Sequence, residues 1–252
     1  MDSLQERITH GWQVSAEGYS QRVVVNDFEL PGRKVWTDAI LSKAPCPGTM
    51  DILDIGTGPG VFATILSMAG HRVTGIDIST NMLEQARQNS ARMDVSPKYL
   101  LMNSQDLNFP DNSFDMIVSR YVVWTIKEPE LAYKSWLRCL KPGGRVVVFD
   151  ASHERESVTQ EERNKLYFEK FGELPHVSYK NYEEARGFGR ELKLRHEMRP
   201  EWDVATMEKL GYTNIVWENV AEKVSYSERE RIINMGKCFF RLCGDKPQGY
   251  RD

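Results

Sequence analysis

The sequence predicts an α/β domain built on a mostly parallel sheet with helices on both faces. Three observations predict it. Short apolar runs alternate with amphipathic helical segments from residue 51 to residue 150, the order in which parallel strands and their crossover helices follow one another. The run Asp51-Ile52-Leu53-Asp54-Ile55 breaks into Gly56-Thr57-Gly58-Pro59-Gly60 directly before an apolar helical stretch, which is the form of a strand-to-helix turn. The chain has 252 residues and 40% hydrophobic content, enough for the core of one such domain.

Taken in order, residues 8 to 45 read as helical pieces, with Trp12, Val14 and Tyr19, then Val23, Val24 and Val25, then Trp36, Ile40 and Leu41 at helical spacing. Pro45, Pro47 and Gly48 close this N-terminal cap, residues 1–48. The cofactor-binding core is expected over 49–151. Its first helix runs from Val61 to Ala69 with Phe62, Ile65 and Leu66 on one face, and Gly70 stops it. Arg72 to Asp77 is a second strand ending in an acid, and Ser79 or Thr80 caps a helix through Met82, Leu83 and Ala86. Tyr99 to Met102, Phe114 to Ser119 and Arg145 to Asp150 are the third to fifth strands. A helix carrying Tyr133, Trp136, Leu137 and Leu140 lies before the fifth and is closed by Lys141-Pro142-Gly143-Gly144.

Residues 152–200 break this rhythm. They are highly charged, carry Tyr167, Phe168, Phe171, Tyr179, Tyr182 and Phe188, and are punctuated by Pro175 and Gly187, which predicts a helical insertion or lid. Over 201–252 the pattern resumes with a helix from Trp202 to Gly211, a strand through Ile215-Val216-Trp217 and a last strand around Cys238 to Leu242. No internal repeat or low-complexity linker divides the chain, so a single domain is expected.

Composition excludes several classes. A net charge of −3 gives no general attraction to nucleic acid, and no apolar run is long enough to span a bilayer. The stretch Met1 to Arg7 lacks the features of a secretory signal, so a cytoplasmic location is expected. Cys46, Cys139, Cys238 and Cys243 form no C-x-x-C pair and have no histidines at ligand spacing; free thiols and no metal site are expected.

The glycine turn needs a ligand whose identity the neighbouring residues decide. No Lys-Ser/Thr pair follows Gly60 at P-loop spacing, which sets phosphoryl transfer aside. A dinucleotide fingerprint would need glycine where Val61 stands, and the negative charge of Asp54 does not suit a pyrophosphate. Asp77 suits ribose hydroxyls in either case. An acidic strand end beside a glycine backbone matches a cationic ligand with an adenosine end and an amino-acid end, the demand made by S-adenosylmethionine.

The segments Asp54-Ile-Gly-Thr-Gly-Pro-Gly60, Ile76-Asp77-Ile-Ser79, Asp106-Leu-Asn-Phe-Pro-Asp-Asn-Ser-Phe-Asp115 and Leu140-Lys-Pro-Gly-Gly144 resemble, in order, the motifs of class I S-adenosylmethionine-dependent methyltransferases with a type 11-like domain. Trp12 to Tyr19 resembles the helical lid of members that act on small molecules. The resemblance implies a Rossmann-like, doubly wound, seven-stranded sheet with an antiparallel last strand. It places Gly56, Gly58 and Gly60 at the methionine and ribose segment, Asp54 near the methionine ammonium, Asp77 with Ile78 at the ribose, and Asn103, Ser104 and Gln105 at the adenine. Family members commonly carry an acid where Asn103 stands; its amide carbonyl can accept the same hydrogen bond. Ser119 and Arg120 would border the methionine portion, mostly through backbone, with a surface salt bridge as the plain alternative for Arg120.

Methyl transfer from a sulfonium mainly requires alignment and exclusion of water. A general base helps where the acceptor must lose a proton, and Tyr19, Tyr121, His153 and His176 are candidates, His176 reading best as a lid residue. Pro45-Cys46 and Glu218-Asn219-Val220 mimic pieces of cytosine methyltransferases but lie outside the positions where that chemistry needs them. Ser119-Arg120-Tyr121-Val122 lacks the Asn/Asp-Pro-Pro-Tyr/Phe of adenine and glutamine amino methylation. A small-molecule acceptor is the expectation, beside two alternatives: a non-catalytic S-adenosylmethionine-binding regulatory protein and a nicotinamide-dependent oxidoreductase.

Overall fold

A computed structural model describes residues 3–28, 30–152, 155–174 and 187–250. Two N-terminal helices, α1 (Leu4–Asp27) and α2 (Gly32–Leu41), precede β1 (Asp51–Ile55), α3 (Val61–Met68), β2 (Arg72–Asp77), α4 (Thr80–Arg92), β3 (Lys98–Leu101) and β4 (Phe114–Arg120). A short 3-10 turn at Val123–Thr125 leads to α5 (Pro129–Cys139) and β5 (Leu140–Ser152). Then come α6 (Gln160–Phe171), two 3-10 turns, α7 (Glu201–Leu210), β6 (Thr213–Asn219), α8 (Glu228–Asn234) and β7 (Cys238–Asp245).

The sheet has the order β3-β2-β1-β4-β5-β7-β6. Neighbouring strands from β3 to β5 are parallel, and β7 runs antiparallel to both β5 and β6. These are the seven strands and the reversed last strand that the resemblance implies. Central strands are buried on both faces because helices cover both sides: Ile52, Met116, Val118 and Val147 pack with α2 and α3, while Leu53, Ile55, Ile117 and Val148 pack with α5 and α7.

Two details differ from the sequence reading. Lys141 to Gly144 belongs to the start of β5 rather than to a helix cap, since Gly143 and Gly144 exchange backbone hydrogen bonds with Lys246. The short helix α8 was not anticipated; it is held by the Ser227 cap and by Arg229, whose guanidinium lies 4.5 Å from the Phe171 ring of α6. Helix α6 itself begins with a Thr159–Glu162 capping box. His153, Pro175, His176, Tyr179 and Tyr182 lie outside the described residues. Among the described residues no helix is long and apolar enough to cross a membrane, and no group of three or more His, Cys, Asp and Glu could hold a metal.

The order reverses between β1 and β4: β2 and β3 lie on one side of β1, and β4 and β5 on the other. At such a switch point the crossover helices leave toward opposite faces, so a crevice opens at the carboxyl ends of the two strands.

Candidate functional site

The cleft at that crevice encloses about 650 Å³, its open mouth included. Its floor is the glycine turn. Each glycine there has its own reason. At Gly60 (φ +85°) a Cβ would stand 2.5 Å from the Tyr99 hydroxyl and 2.9 Å from Ala86 Cβ, so this residue serves the packing of α3 on α4 and β3. At Gly56 a Cβ would strike Val122. At Gly58 (φ +53°) only ordinary contacts lie near, with Tyr19 Cε1 at 3.8 Å, which leaves that backbone open to the cleft.

Two buried carboxylates flank the turn. Asp77 lines the cleft; its Oδ2 accepts from Gly58 N at 3.0 Å and its Oδ1 from Ser79 N at 2.9 Å. Burial pushes its carboxyl up to about 6, against the pull of those backbone donors. Asp54 Oδ2 accepts from the Thr57 hydroxyl at 2.6 Å and from Ala63 N at 3.0 Å, tying the turn to the first turn of α3. Burial pushes Asp54 up to about 7, with both donors and the charge of Arg120 opposing. Neither aspartate is in an ion pair among the described residues.

Ile78, Asn103, Ser104 and Gln105 form the wall beyond Asp77. Their loop is fixed by its own bonds: Asn103 Oδ1 accepts from Gln105 N at 3.0 Å and from Gln105 Nε2 at 3.1 Å, and Ser104 O accepts from Trp136 Nε1 at 2.9 Å. The opposite wall is Arg120 and Tyr121. Tyr121 has φ +58°, rare for a bulky residue, and its ring stacks on Phe239 with centroids 4.7 Å apart. Arg120 is no surface residue: its side chain is 10% exposed and its Nη1 donates to Asp27 Oδ2 at 2.8 Å.

Helix α1 roofs the cleft with Ile8, Trp12 and Tyr19. It is docked on the start of α4, where Gln13 Oε1 accepts from the Ser79 hydroxyl at 2.7 Å and Asn81 Nδ2 donates to Gln13 O at 2.9 Å. The structure therefore gathers Gly56, Gly58, Asp77, Ile78, Asn103, Ser104, Gln105, Arg120, Tyr19 and Tyr121 around one space. Asp54, Gly60 and Ser119 stand behind this lining. Ser119 is fully buried, and its hydroxyl has no partner among the described residues. Sequence reasoning missed Gln5, Met82, Val122, Thr125 and Ile126, which also line the cleft, and missed Asp27, Arg120's partner. No local pattern marks them; Asp27 is one acid at the end of a 24-residue helix.

A family model described as a methyltransferase domain matches residues 53–148. The chain is 39% identical over 143 residues to a demethylmenaquinone methyltransferase of Tropheryma whipplei, a match covering 57% of this chain and 58% of that protein. It is 31% identical over 186 residues to a demethylmenaquinone methyltransferase of Staphylococcus aureus, covering 71% of this chain and 76% of that protein. Among solved structures, a phosphoethanolamine N-methyltransferase of Haemonchus contortus in complex with phosphomonomethylethanolamine and S-adenosylhomocysteine superposes with a TM-score of 0.69 over 98% of this chain and 61% of its own. At 20% identity that likeness speaks for the fold alone. With a relative this similar across three quarters of its length, and with the ordered motifs along β1 to β5, the chain belongs to the class I S-adenosylmethionine-dependent methyltransferases.

Proposed function

We propose that the cleft binds S-adenosylmethionine and that the protein transfers its methyl group to a small-molecule acceptor. One observation carries this reading: two buried carboxylates, neither of them in an ion pair among the described residues, flank the open backbone of Gly58. Such a site is completed by a ligand that brings hydroxyls and a positive charge. The residues present fit that ligand. Asp77 offers carboxylate oxygens to a ribose diol, Gly56 and Gly58 let the chain between ribose and sulfur lie against the backbone, and Asn103 to Gln105 with Ile126 face the base. In this assignment Asp54 acts from behind the turn, through its charge, on the amino-acid end.

S-adenosylmethionine supplies a methyl group on a sulfonium whose departure leaves a neutral thioether. The chain's own residues then have three tasks: to hold the ligand, to present the acceptor in line, and to exclude water. Ile8, Trp12 and Tyr19 of α1 form the water-excluding roof. Tyr19 and Tyr121, which line the cleft, are the candidates to take a proton, as tyrosinates, if the acceptor carries one. The described elements that follow β5, α6 and the 3-10 turns at Gly187–Glu191 and Lys193–His196, are assigned to the acceptor side as a lid, and a cytoplasmic location without a nucleic-acid partner completes the proposal.

The test is transfer of an isotopically labelled methyl group from S-adenosylmethionine to a panel of acceptors. Demethylmenaquinone and phosphoethanolamine, the acceptors in the relatives' names, head that panel. Labelled product with any small molecule supports the reading. Tight cofactor binding with no transfer to any of them favours a regulatory protein, and binding of a nicotinamide dinucleotide in its place favours an oxidoreductase.

A further inference from the structure

At the β4 end of the cleft stands a guanidinium held from behind. Arg120 Nη1 donates to Asp27 Oδ2 at 2.8 Å, and Asp27 Oδ1 in turn accepts from Trp36 Nε1 at 2.9 Å and from the Tyr226 hydroxyl at 3.2 Å. The Arg120 Cζ lies 4.8 Å from the Trp36 ring centroid and 4.9 Å from that of Phe62. Side chains of both charged partners are about nine-tenths buried. Four elements thus fix one side chain: the end of α1, α2, α3 and the segment before α8.

The pairing leaves most of the guanidinium's capacity unused. Arg120 has five N–H donors, and its bond to Asp27 is the one hydrogen bond its side chain makes among the described residues. A guanidinium placed only to neutralise Asp27 would meet it with two parallel bonds, the favoured geometry of such pairs. Here one nitrogen is anchored, and the Nε–Nη2 edge is left in a residue that lines the cleft. That edge is a planar fork of the shape that accepts a carboxylate.

Its position along the sheet identifies which carboxylate. Ile55 is level with Ile76 of β2 and with Ser119 of β4, so Asp77 and Arg120 flank Gly56 on either side. With adjacent strands ~4.8 Å apart, their backbones are separated by about 10 Å across the turn. A ligand with its ribose at Asp77 and its sulfur over the glycines directs its amino-acid end toward Arg120.

Resting on the cofactor reading above, we infer that the Arg120 side chain reads the α-carboxylate of S-adenosylmethionine, and that Asp27 is a positioning residue that aims it. The amino-acid end of the ligand is then bracketed by an acid behind the turn, Asp54, and a base across it, the arrangement a zwitterion requires. Because Asp27 closes α1, the roof helix and carboxylate recognition are joined in one hydrogen-bonded chain.

The test compares S-adenosylhomocysteine with its decarboxylated analogue, S-adenosyl-3-thiopropylamine, by calorimetric titration. Wild type is expected to prefer the carboxylate-bearing ligand by roughly 10- to 100-fold. Arg120→Met is expected to abolish most of that preference while leaving affinity for the decarboxylated ligand within a few-fold of wild type. Arg120→Lys, which keeps the buried charge opposite Asp27, is the second variant and should retain only part of the preference. Asp27→Asn turns an amide N–H toward Arg120 or toward Trp36, and should lower the preference without shifting affinity for the analogue. Equal losses for both ligands in the Arg120 variants, or an unchanged ratio, would overturn the inference. Failure of wild type to bind either ligand would instead overturn the cofactor reading beneath it.

Discussion

Three parallel strands of this sheet carry an aspartate at or near their carboxyl ends, and the chain treats them in two ways. Asp150, on β5, is met by a built-in cation: Arg199 Nη1 donates to it at 2.8 Å while Arg199 Nε and Nη2 hold Asp203, each at 2.8 Å. All three residues are essentially inaccessible, and the Tyr133 hydroxyl donates to Asp203 at 2.7 Å. Asp54 and Asp77, on β1 and β2, receive only neutral donors. An ion set closed on itself is architecture; here it pins the Val123–Thr125 turn through Trp124 N, which donates to Asp150 Oδ2 at 3.1 Å. Buried carboxylates left without a cation raise the free energy of the empty protein, and a ligand that supplies positive charge recovers it.

That contrast can be broken most forcefully at Arg199. Arg199→Met leaves Asp150 and Asp203 buried without their cation and is expected to cost about 3–5 kcal/mol of stability, read by urea unfolding. A loss no larger than that of a surface substitution would remove the distinction between the two regions. Next, Asp77→Ala is expected to weaken binding of S-adenosylhomocysteine by about 1.5–3 kcal/mol in calorimetry, through loss of hydrogen bonds to a charged acceptor. Unchanged affinity in a folded variant contradicts its assignment.

The glycines sharpen the same boundary between packing and site. Gly60→Ala drives a Cβ into Tyr99 and Ala86 and should lower stability by about 1–3 kcal/mol. Gly58→Ala meets only ordinary van der Waals contacts, so its cost is confined to about 1–2 kcal/mol of left-handed backbone strain, and its larger effect should be on ligand affinity. Thermal melts and titrations of the two variants should rank them in opposite order.

The smallest effect is in pH. Burial holds Asp54 at about 7 and Asp77 at about 6, above the value of ~4 that an aspartate has in the unfolded chain. The folded protein therefore keeps protons that the unfolded chain has lost. The stabilising contribution is complete below about pH 4 and disappears as pH rises through about 6 to 7. Asp51 and Glu218, lowered to about 2 chiefly by bonds from Arg72 and Lys223, act in a separate and lower window. Wild type should thus gain on Asp54→Asn by about 1 kcal/mol as pH falls from about 8 to 6, seen in melting temperatures. A constant difference would show that Asp54 is ionised throughout.

Much of the cofactor half could be read from the sequence because its signals are local. The alternation of strand and helix, the glycines after β1, the Ser79 cap and Gly211 at the end of α7 each depend on residues within a few positions of one another. What escaped depends on distance in the chain. In sequence Asp54, Asp77 and Asp150 look alike, as acids closing apolar strands; only the fold brings Arg199 to one of them across 49 residues. For Arg120 the sequence left a surface salt bridge open beside a place at the methionine portion, because its buried partner, Asp27, lies 93 residues away. Gly60 looked like part of the ligand site, but the residues that claim its space, Ala86 and Tyr99, come from later elements. The segment around α8 carries weak periodicity and is held by side chains of α6, so no window of its own sequence announces it.

The most direct test of the unpaired-carboxylate account is calorimetric titration of the wild-type protein with S-adenosylmethionine between about pH 5.5 and 8, repeated in buffers of different ionisation enthalpy. The account predicts binding that tightens as pH rises and a net release of protons on binding near pH 6 to 7, as the incoming cation ionises Asp77 and Asp54. Absence of binding, or binding with no proton release and no dependence on pH across that range, would contradict it.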